Sequence, residues 1–175
     1  MPQDDVAPTP AERALPAPAL SVRPVAAATP GARSDTMPSG STPSRRADRP
    51  DSYWAAVGGS ETFRRLVDRF YEGVATDPVL RPMYPDEDLT GARERLTLFL
   101  EQYWGGPTTY SDTRGHPRLR MRHAPFPVTP EARDRWLTYM RDAVVALDLP
   151  PARAAVLWDY LERAAYSMVN TWEAP

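Results

Sequence analysis

The chain has 175 residues, of which 42% are hydrophobic and 25% charged, with a formal net charge of −2, the profile of one soluble globular domain with length to spare. So even a balance gives no reason to expect nucleic acid or an anionic membrane as the main partner, and no apolar run nears the roughly 20 residues of a membrane span. Cysteine is absent and there are only two histidines, His116 and His123, which excludes disulfides, thiolate zinc sites, iron–sulfur clusters and a cysteine nucleophile. Lysine is absent too; with so much Ala and Pro, that reads as genome composition rather than a functional choice.

Residues 1–51 are rich in Pro, Ala, Ser and Thr and contain no aromatic residue. Such a segment buries too little apolar area to offset its ordering entropy, so a disordered tail is expected; a docking tail for a Pro-recognising partner is the functional alternative. Pro16, Pro18, Pro24 and Pro30 interrupt every apolar stretch after Arg13. No secretory h-region forms there, and a cytoplasmic protein is the expectation. Aromatic residues begin at Tyr53 and Trp54, and the folded domain is expected over residues 52–171.

Helical periodicity then takes over. Ser60 is a candidate N-cap, with Phe63, Leu66, Val67, Phe70, Tyr71 and Val74 following at helical spacing. Pro78, Pro82 and Pro85 divide the next stretch into short turns carrying Tyr84. A second long helix is predicted from near Leu89, with Ala92, Leu96, Phe99 and Tyr103 on one face and its stop at Gly105-Gly106. Residues 105–128 are predicted to be mostly irregular, with at most one short helix before Pro125. Alternation of Leu119, Met121 and His123 with Arg118, Arg120 and Arg122 also suits a strand, but a lone strand among helices has no partner. Thr129-Pro130-Glu131 opens a third long helix with a cap, a Pro at N1 and an acid in the first turn. Its apolar face carries Trp136, Met140, Ala143, Val144 and Leu147. After Leu149-Pro150-Pro151 a fourth carries Leu157, Leu161, Ala164, Ala165 and Met168. The fold class is all-α.

Helical faces of this kind ordinarily mean core alone. The long loop is different, because loops beyond about 12–15 residues are more often functional or disordered than idle. It ends in Arg118-Leu-Arg-Met-Arg-His123-Ala-Pro. Two readings of His123 stay open on the residues alone: an ordinary satisfied or exposed histidine, and an axial ligand to haem. A macrocycle supplies four nitrogens of its own, so one imidazole suffices, and nearby arginines suit two propionates through charge-assisted hydrogen bonds. Tyr71 and Trp136, polar aromatics on otherwise apolar faces, either satisfy backbone carbonyls or converge with Tyr84 as donors to a ligand.

The stretch Phe70-Tyr71, then Tyr84-Pro85, then Phe99-Leu-Glu-Gln-Tyr-Trp-Gly-Gly106-Pro, then Gly115-His-Pro-Arg-Leu-Arg-Met-Arg-His123-Ala-Pro-Phe126 closely resembles the group II truncated haemoglobins of actinobacterial type. The resemblance runs from Tyr53 to about Asn170 and leaves the tail uncovered. It implies a two-over-two helical sandwich around haem b, in which the four long helices stand for the family's B, E, G and H helices. It also implies His123 as the proximal iron ligand, with Tyr71, Tyr84 and Trp136 as distal donors. Ala92 matches a position where many globins place a distal His, so a small residue there leaves access open. Leu96 and Phe99 are implied as pocket wall. Arg122 is implied on the propionate side, and Met121 and Tyr110 as further cofactor contacts.

The ligands implied are O₂, NO and similar small molecules, with a reductase as electron donor. Two or three donors facing bound O₂ imply slow release, which suits NO dioxygenation or peroxide chemistry better than carriage. A haem-based O₂ sensor or delivery module docking a partner is the alternative, and a cofactor-free interaction protein using the Arg-rich loop is a third. Homo-oligomerisation stays open.

Overall fold

A computed structural model of the chain describes residues 52–172 apart from Asp86; the expected disordered tail lies outside the described residues. The described part is all-helical. Its elements are α1 (Tyr53–Ala56), α2 (Gly59–Val74), a single 3₁₀ turn (Arg81–Met83), α3 (Thr90–Tyr103), α4 (Thr109–Arg114), α5 (Leu119–His123), α6 (Pro130–Val145) and α7 (Pro151–Met168). Helices α2 and α3 form one packed pair, α6 and α7 the other, and α2 against α6 joins them. That is a two-over-two sandwich. Among the described residues no helix is long and apolar enough to cross a membrane.

The spacing of apolar residues explains the sandwich. On α2, Phe63, Leu66, Val67, Phe70 and Val74 have no solvent exposure, each such side chain being worth about 1.5–3 kcal/mol of burial. Met140, Ala143 and Val144 of α6 and Leu157, Leu161 and Ala164 of α7 complete the same core. Thr129 caps α6 as its sequence indicates, its side chain accepting from the Ala132 amide at 3.1 Å. Trp104 ends α3, and Gly105 follows with φ +92°, a left-handed turn that a side chain would strain.

Two sequence expectations need correction. Ser60 does not cap α2: the cap is Gly58, at φ +106°. Between α1 and α2 the backbone is left-handed at both Gly58 and Gly59 (φ +67°), a conformation that glycine adopts cheaply. Val57 seals the corner, its carbonyl accepting from the Thr62 hydroxyl at 2.7 Å. The second correction concerns residues 105–128, which contain two short helices rather than at most one. Five- and six-residue helices bury only one or two side chains, Tyr110 on α4 and Leu119 with His123 on α5, too few to register as periodicity.

At the far end of α2 a buried carboxylate joins the two layers. Asp77, with its side chain 1% exposed, accepts from the Val79 and Leu80 amides through Oδ1 at 2.8 and 2.7 Å. Through Oδ2 it accepts from Arg135 Nη1 at 3.1 Å and the Tyr139 hydroxyl at 2.9 Å, both on α6. Tyr139 reaches Asp77 because position 73 of α2 is glycine: a Cβ there would lie 2.1 Å from the Tyr139 ring.

Burial by itself would raise the Asp77 carboxyl, but the two amides, Tyr139 and Arg135 outweigh it and hold its pKa below the ordinary range. A depressed native pKa contributes stability above the unfolded value of about 3.9, and that contribution is lost as pH falls through the native one. Asp77→Asn is therefore expected to lower the unfolding free energy by about 2 kcal/mol at neutral pH, through weakened charge-assisted bonds. In urea unfolding across a pH series, the gap between the two proteins should narrow once pH drops below about 4.

Candidate functional site

The site grows from α5. This helix begins at Arg118, a non-glycine residue in left-handed backbone at φ +38°, and lasts little more than one turn. Leu119 and His123 are four residues apart, so both side chains turn inward together. His123 Nδ1 lies 2.7 Å from the Leu119 carbonyl oxygen. A carbonyl only accepts, so Nδ1 carries a hydrogen, and in the neutral imidazole the lone pair then sits on Nε2, the form in which imidazole binds a metal.

The surrounding backbone is held by polar ties. Asn170, just after α7, donates to the His123 and Phe126 carbonyls at 3.2 and 3.0 Å and accepts from the Val128 amide at 2.9 Å. Arg122 donates to the Pro117 and Arg114 carbonyls at 3.0 and 2.9 Å, so its guanidinium braces the loop in front of α5. Met121 points outward and is 67% exposed. It stands apart from the buried site residues.

A second group of polar aromatics comes from α2, the turn after it and α6. Tyr71 is 2% exposed and its ring meets that of Tyr84 edge-on at 5.6 Å. Phe70 touches both sides of the group, 5.0 Å from the Tyr71 ring and 5.2 Å from that of Trp136. The Arg93 guanidinium lies 5.6 Å over the Tyr71 ring. Burial, then the neighbouring Tyr84 and a hydrogen bond between the two hydroxyls, push Tyr71 well above the ordinary tyrosine range. Burial likewise pushes Tyr84 up to about 12. Both hydroxyls keep their protons, and hence their capacity to donate, throughout the physiological range.

Ala92, Leu96 and Phe99 lie along one buried face of α3. Phe99 packs edge-on against Tyr110 of α4 at 5.7 Å. The structure thus brings Tyr71, Tyr84, Ala92, Leu96, Phe99 and Tyr110 into one core, with Trp136 packed at its edge. Arg93, Asn170 and the Leu119 carbonyl are parts of the site that sequence reading missed. The one signal for Leu119 was its four-residue spacing from His123.

These residues fit haem. Among the described residues no group of three or more His, Cys, Asp or Glu could hold a metal ion, whereas a macrocycle asks for a single imidazole in the form His123 takes. The Tyr110 hydroxyl is buried without a hydrogen-bond partner, an orphaned donor that a polar group of a bound cofactor would satisfy. The carbon-rich wall of Leu96 and Phe99 suits the face of a porphyrin.

Comparison with known proteins agrees. Residues 52–170 match the bacterial-like globin family. The chain is 46% identical over 116 residues to the group 2 truncated hemoglobin YjbI of Bacillus subtilis, covering 66% of this chain and 87% of that protein. It is similar to the crystal structure of a thermostable hemoglobin from the actinobacterium Thermobifida fusca, at 66% identity and TM-score 0.69 over 70% of this chain and 99% of the other. A truncated oxygen-avid haemoglobin from Bacillus subtilis superposes at TM-score 0.64 with 43% identity, over 69% of this chain and all of that one. The chain belongs to the bacterial-like globins, in the group II truncated, two-on-two branch, a family that binds small diatomic ligands such as O₂ through haem.

If His123 is the proximal ligand, His123→Ala should fail to retain haem through gel filtration and lose the ferric Soret band, while His116→Ala keeps both. Full retention with an unchanged spectrum in His123→Ala would remove His123 from that role.

Proposed function

We propose that the chain holds haem b with His123 as proximal ligand and uses Tyr71, Tyr84 and Trp136 to stabilise O₂, in the service of NO dioxygenation or peroxide reduction rather than O₂ carriage. When bound, the cofactor supplies the iron centre at which a diatomic ligand binds and electrons are exchanged. What carries the reading is the buried Tyr71–Tyr84 pair, in edge-on ring contact at 5.6 Å and linked through Phe70 to Trp136.

Donors fixed in a water-poor site favour a ligand that gains negative charge, because they need no reorganisation when it arrives. One hydrogen bond between the Tyr71 and Tyr84 hydroxyls uses one of their two protons and leaves the other for a ligand. The Trp136 indole offers a further donor from the α6 side. Ala92, small and on the α3 face, leaves room for ligand access. If each donor adds roughly 1–1.5 kcal/mol, two or three of them slow release by one to three orders of magnitude. The oxygen avidity of the Bacillus subtilis relative supports the same behaviour here. Slow release suits reaction on the bound ligand, and sustained turnover then calls for a reductase as electron donor.

Trp136→Phe is expected to raise the O₂ dissociation rate by roughly tenfold in stopped-flow measurements; an unchanged rate would leave Trp136 a packing residue. Mixing the oxygenated protein with NO should give stoichiometric nitrate, and multiple turnovers when a flavin reductase is supplied. Absence of nitrate would remove the dioxygenase role.

A further inference from the structure

Asp77 takes no part in the site described above, yet it is tied to both elements that carry its donors. On one side, Oδ1 takes the Val79 and Leu80 amides, and the Asp77 carbonyl takes the Arg81 amide at 3.0 Å. These three bonds set the chain path into the Arg81–Met83 turn, which delivers Tyr84. Arg81 then closes the turn, its guanidinium donating to the Tyr84 carbonyl at 2.8 Å. On the other side, Oδ2 holds Arg135 and Tyr139, and Trp136 lies between these two on the same helix. Arg135 is itself steadied by Glu131 at 3.0 Å.

From these contacts we infer that Asp77 is a positioning residue for ligand stabilisation: with Tyr139 and Arg135 it sets the separation of Tyr84 from Trp136. The inference rests on the reading of those two residues as distal donors. Two hydrogen-bond donors on different elements stabilise one small ligand only if their spacing is held to a fraction of an ångström, since hydrogen bonds weaken steeply with misplacement. The core between α2 and α6 is apolar and non-directional, so it does not by itself prevent the turn from sliding along α6. A carboxylate with four directional bonds to the two elements does, and its 1% exposure shields its own oxygens from water.

Gly73 belongs to the same device. Any larger residue there would collide with the Tyr139 ring at 2.1 Å and push its hydroxyl away from Asp77. Glycine inside a helix costs roughly 1 kcal/mol relative to alanine. Its presence in the last turn of α2 is explained by the close approach it permits, and through Tyr139 that approach reaches the distal donors.

The test uses the haem-loaded full chain and three substitutions that leave every proposed donor in place: Tyr139→Phe, Asp77→Asn and Gly73→Ala. Tyr139→Phe removes one hydrogen bond and keeps the ring, so it is the variant that folds even if the others do not. Stopped-flow O₂ dissociation is measured together with the carbon monoxide stretching frequency by infrared, which reports the polarity facing the ligand. Thermal melting serves as the control for stability. Tyr139→Phe is expected to speed O₂ release roughly three- to tenfold and to shift or split the carbon monoxide band, with Asp77→Asn and Gly73→Ala at least as large where they fold. A lowered melting temperature with unchanged off-rate and band would show Asp77 and Tyr139 to be structural only, and would overturn the inference. Trp136→Phe and Tyr84→Phe are run alongside. If these two alter release while Tyr139→Phe does not, only the positioning role falls; if neither alters release, the distal-donor reading falls and takes this inference with it.

Discussion

Everything at the site depends on the orientation of one imidazole. The bond from His123 Nδ1 to the Leu119 carbonyl, at 2.7 Å, points Nε2 away from α5 and selects the tautomer that presents a lone pair. A helix of one turn has little stiffness of its own. The frame around it is therefore supplied by side chains: Arg122 braces the loop on the N-terminal side and Asn170 grips the carbonyls at the other end. Residues that follow α7 thus act on the middle of the chain, which makes the segment just past that helix part of the proposed iron site.

The proposed distal half is assembled on different principles. Its donors come from a long helix, a turn and another long helix, and burial does two things to them at once. It excludes water that would compete for a ligand, and it moves the tyrosine pKa values further from the range in which the hydroxyls would ionise. An apolar sandwich holds such groups in a dry place but gives them no register. Directional bonds have to provide that, and the densest set between the layers converges on Asp77. On the proposed reading, bonds to backbone carbonyls hold the proximal side and a carboxylate holds the distal side.

The long helices are legible in the sequence because their signals are redundant. Thr129-Pro130-Glu131 announces α6 by cap, by proline and by charge together, and Phe63, Leu66, Val67, Phe70 and Val74 recur at helical spacing along α2. For His123 the residues alone narrow the metal options, since cysteine is absent and His116 is the only other imidazole, and it is the resemblance of the surrounding motif that implies haem ligation. What stays hidden depends on contacts distant in sequence or on backbone torsion. Nothing local marks Asp77 as more than a turn residue, because its α6 partners lie 58 and 62 positions away. Gly58 looks like one of two interchangeable glycines until its left-handed torsion and its place as the cap of α2 are known. The two short helices bury too few side chains to leave a pattern, and Asn170 reads as a helix end rather than a clamp on α5.

The most direct measurement is proton NMR of the ferrous, ligand-free, haem-loaded protein, in which a coordinating histidine shows a strongly shifted, exchangeable Nδ1 proton. Ligation by His123 requires that signal in the parent chain and in His116→Ala, and its absence in His123→Ala even with haem resupplied. Its persistence in His123→Ala, or its loss in His116→Ala alone, would contradict proximal ligation by His123.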